Sequence, residues 1–283
     1  MPETVTASVA IPTRRRPAYL DVALRSIMPQ AAGVGAEVIV VSDGPEKATA
    51  EVARRHDAAI VSLPAPAGLN AARNAAVAHA SGDLIVFVDD DVEVLAGWLH
   101  ALLDGAAANP GTDVFGGPIQ ARLEGGGPRG CGREKPPITT LDLGGDDHDV
   151  SRVWGSNMAV RPRALRLVGP FDESIIGTGD EEEWLQRYRA AGGRIRYLAG
   201  AAVAHRRSPR DARIVNLSKA AYVRGRSARR YDARSGTAPP IRRELRTLAG
   251  CGWHTLRRRC GLGIVAAALS AGRLREALAD RRP

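Results

Sequence analysis

Aromatic residues are scarce in this 283-residue chain: three Phe, five Tyr and four Trp make up 4% of it. A core must therefore be built mostly from Ala, Val, Leu and Ile, within a hydrophobic content of 44% that is ordinary for a globular protein. Cysteine is nearly absent. Cys131, Cys251 and Cys260 are odd in number and lack the spacing of zinc ligands, which argues against a disulfide framework and for a reducing compartment. No apolar run approaches the ~18–20 residues of a membrane span, and the longest late candidate, Gly261 to Ala271, is too short. The opening stretch MPETVTASVAIPT has no charged-then-apolar signal pattern. These absences predict a cytoplasmic protein. No internal repeat is found. The length allows one large domain, or a domain with an appendage.

Charge is unevenly spread. Residues 206–283 hold 20 basic and 5 acidic residues, whereas residues 1–205 hold 20 basic and 26 acidic. The excess of +9 is thus a property of the tail. Such a tail suits an anionic partner, or is a solvated Arg-rich helical face. Few aromatics and no recognition motif speak against nucleic acid. Peripheral docking of Arg-rich amphipathic helices on a membrane surface fits better.

What is present is organised around Leu84-Ile85-Val86-Phe87-Val88-Asp89-Asp90-Asp91. A continuous apolar run rich in β-branched residues reads as a strand buried on both faces of a parallel sheet. Ligands of open α/β sheets lie at the carboxyl ends of the strands. Adjacent aspartates there repel one another unless a cation sits among them, and Mg²⁺ or Mn²⁺ suits carboxylate oxygens shared with substrate phosphates. The plainer alternative is a solvated acidic turn.

The surrounding pattern predicts alternating strands and helices. Strands are expected at Val5 to Ile11, Glu37 to Gly44, Ala59 to Leu63, Val114 to Leu123, Val153 to Val160, Arg194 to Leu198 and Val203 to His205. Helices are expected at Ala18 to Met28, Glu46 to His56, Leu95 to Ala108 and Arg163 to Val168, and from Asn70 and Asp180. The tail reads as helices at Asp211 to Tyr231, Ile241 to Arg259 and Leu262 to Asp280. Thr13 and the arginines of the loop Pro12-Thr13-Arg14-Arg15-Arg16-Pro17 either meet a nucleotide diphosphate or, in the case of Arg14 to Arg16, face solvent. Asp43, just past a strand, can accept from a base or ribose, or cap the next helix. Arg73, one turn into its helix, faces a phosphate or makes a surface salt bridge. Asp180 to Glu183 put four carboxylates in one first turn, more than the helix dipole requires, so one is a candidate general base. His205, ending a strand at the same edge, is a metal ligand or a structural histidine. The Gly/Pro/Asp-rich stretch 124–150 reads as a mobile flap.

Asp43, Gly68 to Asn74, the Asp89–Asp91 cluster, Trp154 to Met158, Asp180-Glu181 and His205 occur in one order and spacing. Over about residues 5–205 the sequence resembles the family 2 glycosyltransferases of the GT-A fold, most closely along GLNAARNAAVAHASGDLIVFVDDDVEV. The resemblance implies an α/β fold with a mostly parallel nucleotide-binding sheet flanked by helices. It implies a nucleotide-diphospho-sugar donor, with UDP favoured, a divalent metal (Mn²⁺ or Mg²⁺), and transfer with inversion to an acceptor that is a small molecule or a glycan. It assigns Pro12, Thr13, Arg15, Asp43, Asn70, Arg73, Asp89 and Asp90 to the nucleotide, and Asp91, Asp89 and His205 to the metal. Asp89 and Asp91 match the ends of the DXD motif. Trp154, Ser156 and Asn157 border the sugar and acceptor. Glu181 stands at the base position, where the family usually has Asp, so Asp180 remains a rival, and Arg187 occupies the place of the family's following arginine. The implied organisation is a glycosyltransferase domain over 1–205, with a nucleotide-sugar half (1–120) and an acceptor half (121–205) carrying the flexible loop 124–150. A basic helical extension, 206–283, follows. A sugar nucleotidyltransferase would want a glycine-bearing phosphate loop after the first strand, which Pro12-Thr13-Arg14 is not. A non-catalytic anion-binding protein acting through the tail is the other alternative.

Overall fold

A computed structural model of the chain describes residues 5–279. In chain order the main elements are β1 (Ala7–Thr13), α1 (Pro17–Val34), β2 (Glu37–Ser42), α2 (Lys47–Arg55), β3 (Ala59–Ser62), α3 (Leu69–His79), β4 (Leu84–Val88), β5 (Val92–Val94), α4 (Trp98–Ala108), β6 (Val114–Gly116), β7 (Ile119–Leu123), β8 (His148–Val150), β9 (Asn157–Val160), α5 (Pro162–Val168), α6 (Asp180–Ala190), β10 (Ile195–Tyr197), β11 (Val203–Arg207), α7 (Ile214–Arg234), α8 (Ile241–Arg258) and α9 (Gly261–Ala279). They form two compact units. Among the described residues, one comprises 5–120, Thr140–Ile176 and Asp180–His205; the other comprises Ala121–Thr139, Gly177–Gly179 and 206–279.

The first unit is a mixed α/β layer structure around an eight-stranded sheet of order β3-β2-β1-β4-β9-β6-β10-β8. Strands β1 and β4 are buried along their whole length. Their side chains alternate between two cores, as the two-residue period of a strand demands. Val9, Ile11, Leu84, Val86 and Val88 join Leu20, Leu24 and Ile27 of α1 and Trp98 and Leu102 of α4. Ala10, Ile85 and Phe87 join Ala72 and Ala76 of α3, Leu165 of α5 and Trp184 of α6. With helices on both faces, a near-continuous apolar strand is the sequence that fits. Pairing is parallel from β3 through β4 and antiparallel between β4 and β9. The register Val88↔Asn157 brings the residues preceding β9 beside the carboxyl end of β4. Strand β5 pairs antiparallel with β11, and there His205 lies opposite Val92.

The expected α/β class with a sheet flanked by helices is the observed one. Several expected elements shift. The first strand runs on to Thr13, and the strand expected at Val153 to Val160 begins only at Asn157, because Trp154 O accepts from Asn157 N in a tight turn at 2.9 Å. The fourth helix starts at Trp98 rather than Leu95, and β5 was not foreseen. The stretch 124–150 is not structureless throughout. It holds a 3₁₀ turn at Glu124–Gly126, a bridge from Leu141 to Ile119, and β8 on the sheet edge.

In the second unit, α7 and α9 pack at close range. A Cβ added at Gly225 would lie 2.1 Å from Leu269 O, and one at Gly272 would lie 2.1 Å from Tyr222 O. Glu276 pairs with Arg226 (2.7 Å) and Arg230 (2.9 Å), and Arg273 reaches Asp232 (2.7 Å) and Glu244 (2.8 Å). The expected tail helices are present, running Ile214–Arg234, Ile241–Arg258 and Gly261–Ala279; the expected last residue, Asp280, lies outside the described residues. Ala121–Thr139 and Gly177–Gly179 group with the tail rather than with the sheet-bearing unit.

Candidate active site at the sheet edge

The carboxyl ends of β1, β2 and β4 gather the chemistry. Asp90 and Asp91 are buried just past β4. Thr13, the last residue of β1, donates its hydroxyl to Asp90 Oδ2 at 2.6 Å. The Arg16 guanidinium spans the two aspartates, at 2.9 Å from Asp90 Oδ1 and 2.5 Å from Asp91 Oδ2. His205, placed by its register opposite Val92, brings Nε2 to 3.3 Å from Asp91 Oδ1.

Burial pushes the Asp89 carboxyl above its ordinary value, and the negative charge of Asp91 adds to it. Burial likewise raises Asp90 to about 7, with Arg16 opposing and Asp91 reinforcing the rise. For Arg16, burial alone would lower the guanidinium value; the charges of Asp91 and Asp90 reverse this and raise it. A desolvated cluster of this kind favours a cation. Asp91 and His205, with a carboxylate oxygen and an imidazole nitrogen 3.3 Å apart, offer donor types that a divalent metal takes.

Asp43 follows β2 and accepts from the backbone N–H groups of Ala67 (2.6 Å) and Gly68 (3.2 Å). It therefore fixes the entry to α3. Gly68 itself has φ +101°, a left-handed value that a side chain would strain. Arg14 lies 3.8 Å from the other oxygen of Asp43. Pro12 is buried within β1. Arg15 is exposed at φ +53° and makes none of the contacts to the aspartates. The arginine that does so is Arg16, which the run of three arginines gave no basis for choosing.

A second cluster lies on α3 and α6. Arg73 is fully buried. Its Nη1 is 3.0 Å from Asp180 Oδ2, 3.9 Å from Glu181 Oε2 and 3.1 Å from Asn70 Oδ1. Asn70 donates to Asp172 O (2.8 Å) and Asp180 O (3.2 Å), so its amide ties α3 to the start of α6. Of the four acids opening α6, only Asp180 and Glu181 turn toward Arg73. Glu183 pairs with Arg187 at 2.6 Å, and Glu182 with Arg152 at 3.8 Å. Arg187 also donates to Pro170 O and Val168 O, which makes it a brace of the preceding turn.

The two inner carboxyls separate in acidity. Burial works to raise Asp180, but the Arg73 charge and a hydrogen bond from Glu181 outweigh it, and Asp180 lies below the usual range. Burial and the negative charge of Asp180 hold Glu181 well above. Arg73 thus favours ionisation of Asp180, the nearer carboxyl at 3.0 Å, over that of Glu181 at 3.9 Å.

Between the clusters runs Trp154 to Asn157. The Gly155 N–H donates to Glu181 Oε1 at 3.3 Å, and a Cβ added to Gly155 would lie 2.0 Å from Arg73 Nη2. Gly155 is thus a part of the site that sequence reasoning passed over. Among the described residues, the buried Ser156 Oγ has no hydrogen-bond partner. Asn157 is turned to the fold, accepting from Trp98 Nε1 at 2.9 Å and donating to Ala201 O at 2.8 Å. Trp154 carries Arg152 over its ring at 4.8 Å.

The family profile described as Glycosyl transferase family 2 matches residues 8–169. A pre-mycofactocin glycosyltransferase of Mycobacterium tuberculosis is 32% identical over 207 residues, which is 70% of this chain and 42% of that protein. Glycosyltransferase AglE of Haloferax volcanii is 27% identical over 161 residues, covering 55% of this chain and 52% of that protein. The chain thus spans about half the length of these curated relatives. Among solved structures, mannosyltransferase PcManGT from Pyrobaculum calidifontis, in complex with GDP-Man and Mn²⁺, superposes with a TM-score of 0.63 at 16% identity, covering 98% of this chain and 88% of that one. GalNAc-T7 with UDP, GalNAc and Mn²⁺ gives 0.60 at 15% identity, covering 78% and 48%. At these identities the two structures bear on the fold, which is the GT-A type. The profile match spans β1 through the aspartate cluster and Trp154 to Asn157, and stops before Asp180, Glu181 and His205. On the strength of that match, which covers more than half of the sequence, the chain belongs to glycosyl transferase family 2.

Proposed function

We propose that this protein transfers a sugar from a nucleotide-diphospho-sugar to an acceptor nucleophile, with inversion at the anomeric carbon. The observation that carries the reading is the convergence, at one sheet edge, of a buried aspartate–histidine cluster with an Arg73-clamped pair of carboxyls of opposed acidity.

Thr13, Asp43 and Arg73 border the space where the nucleotide and its diphosphate bind, and Asp89, Asp91 and His205 hold Mn²⁺ or Mg²⁺. When bound, the ion neutralises charge building on the leaving diphosphate. Arg73 adds a fixed positive charge in a water-poor setting, where it acts more strongly than in solvent. Glu181, once ionised, takes the proton of the acceptor as it attacks the face opposite the diphosphate. Asp180 stays ionised against Arg73 and keeps the Glu181 affinity for a proton high, which suits a base working near neutral pH. The Ser156 hydroxyl is available to a sugar or acceptor oxygen. A UDP-sugar is the favoured donor, with a GDP-sugar the competing class.

The C-terminal unit is proposed to touch a membrane surface peripherally. Val215, Val223, Trp253 and Leu256 are exposed on α7 and α8 among arginines, the composition of an interfacial helix face. No helix among the described residues is long and apolar enough to cross a membrane. Co-sedimentation with anionic liposomes at low salt tests this, and absence of binding removes it.

The central test is thermal denaturation with UDP, GDP, dTDP and CDP, each with and without Mn²⁺. A ligand that binds only the native state raises the melting temperature with its affinity. One nucleotide should stabilise only with metal, and Asp91→Ala should abolish that shift. A folded sample that responds to no nucleotide would refute the proposal.

A further inference from the structure

The second unit carries a cluster with no part in the sheet-edge chemistry. Cys131 and Glu134 lie three residues apart in the segment before Thr139, while His254 is on α8 and Cys260 lies between α8 and α9. Their spacing along the chain carries no zinc signature. The fold nevertheless brings one ligand atom from each within 4.8 Å of all the others. Cys131 Sγ is 3.0 Å from Glu134 Oε1 and 3.5 Å from His254 Nε2, and Glu134 Oε1 also bonds His254 Nε2. Cys260 is buried against the same segment, its thiol 3.8 Å from Arg129 O.

We propose that Cys131, Glu134, His254 and Cys260 bind one structural Zn²⁺ that clips the segment around residue 131 to the corner between α8 and α9. Zinc takes thiolate sulfur at about 2.3 Å and imidazole nitrogen or carboxylate oxygen at about 2.0–2.2 Å, which gives tetrahedral edges of about 3.3–3.8 Å. Donors already at the spacings found here need only small displacements to surround one ion. Two thiolates, a carboxylate and a neutral imidazole leave one net negative charge around Zn²⁺. It sits in segments that also carry Arg129, Arg133, Lys135 and Arg257 to Arg259. Four protein ligands close the coordination shell, so the ion is structural rather than catalytic. The backbone at this corner is already fastened, with Arg129 O accepting from Gly261 N (2.7 Å) and Leu262 N (3.3 Å). A metal would supply the side-chain half of the same clip. A Cys131–Cys260 disulfide is the competing use of the thiols. Against it, the hydrogen-bonded neighbours of the Cys131 sulfur are Glu134 and His254.

The test uses the full chain, purified without a polyhistidine tag or chelator. Elemental analysis should find about one zinc per chain, retained in Asp91→Ala and lost in Cys131→Ser and in His254→Ala, with circular dichroism reporting on folding. Should those variants fail to fold, the wild-type chain loaded with Co²⁺ provides the second readout. It should show a thiolate-to-cobalt charge-transfer band with the intense visible bands of tetrahedral cobalt. Three results would each overturn the proposal: a folded, reduced wild-type chain with neither zinc nor the cobalt bands; zinc retained by folded Cys131→Ser; or a Cys131–Cys260 disulfide in protein prepared without reductant.

Discussion

Gly155→Ala is the sharpest test of the Arg73 clamp. The backbone at Gly155 is not left-handed, so alanine is tolerated locally and the cost comes from its methyl group alone. That methyl would sit 2.0 Å from Arg73 Nη2 and 2.9 Å from Cζ. Ordinary contact needs about 3.4 Å, so the guanidinium must retreat by about 1.4 Å. Arg73 now lies 3.0 Å from Asp180 and 3.1 Å from Asn70, and such a retreat breaks one or both bonds. A hydrogen bond to a charged group contributes about 1.5–3 kcal/mol, and overpacking a well-filled site costs about 1–3 kcal/mol. The expected loss is about 3 kcal/mol, which in a unit of this size lowers the melting temperature by roughly 6–12 °C. Misplacing a charge that stabilises the transition state by about 1 Å lowers the rate by about 100-fold. The assays are thermal denaturation and transfer from the donor that the nucleotide panel selects. Gly33→Ala in α1, where an added Cβ meets nothing within 4 Å, is the control and should be neutral or slightly stabilising. A Gly155→Ala protein with wild-type melting temperature and wild-type rate would show that Arg73 is not held as described.

Other outcomes follow from the same geometry. Glu181 must lose its proton to act as base, so kcat/KM should rise with pH through a value well above the ordinary 4.5 of a glutamate. Asp180→Asn removes the negative neighbour while Arg73 stays positive, so this acidic limb should move to lower pH; an unmoved limb refutes the assignment of the base. Asn157→Ala strips partners from Trp98 Nε1 and Ala201 O and should destabilise the protein by about 2–4 kcal/mol in urea, with nucleotide affinity little changed. Gly225→Ala drives a methyl into Leu269 O and should cost about 1–3 kcal/mol, read as a loss of helical signal that precedes unfolding of the sheet.

The Asn70, Asn157 and Arg187 side chains show how motif positions acquire their meaning. In the sequence they stand in line with the nucleotide, acceptor and acidic-helix motifs. In the fold their polar atoms are engaged by Asp172 and Asp180 carbonyls, by Trp98 and Ala201, and by Glu183 and Pro170. The acidic opening of α6 divides in the same way. Its excess over capping needs was visible in the sequence, but which two acids face Arg73 was not.

Some properties were settled by local pattern. Buried strands β1 and β4 announce themselves because a strand covered on both faces has to be apolar at every position, and a carboxylate cluster at its end is legible wherever the strand is. The α/β class, the family and the separation of a basic helical tail all rest on such short-range signals. Others depended on tertiary structure. Arg16 rather than Arg15 meets Asp90 and Asp91, Asp180 lies nearer to Arg73 than Glu181 does, and two cysteines 129 positions apart in number converge with a histidine and a glutamate. The reason is physical. Hydrophobic burial follows the periodicity of the chain, whereas charge pairing and ligation depend on which side chains share one desolvated pocket, and that is decided by residues far apart in the sequence.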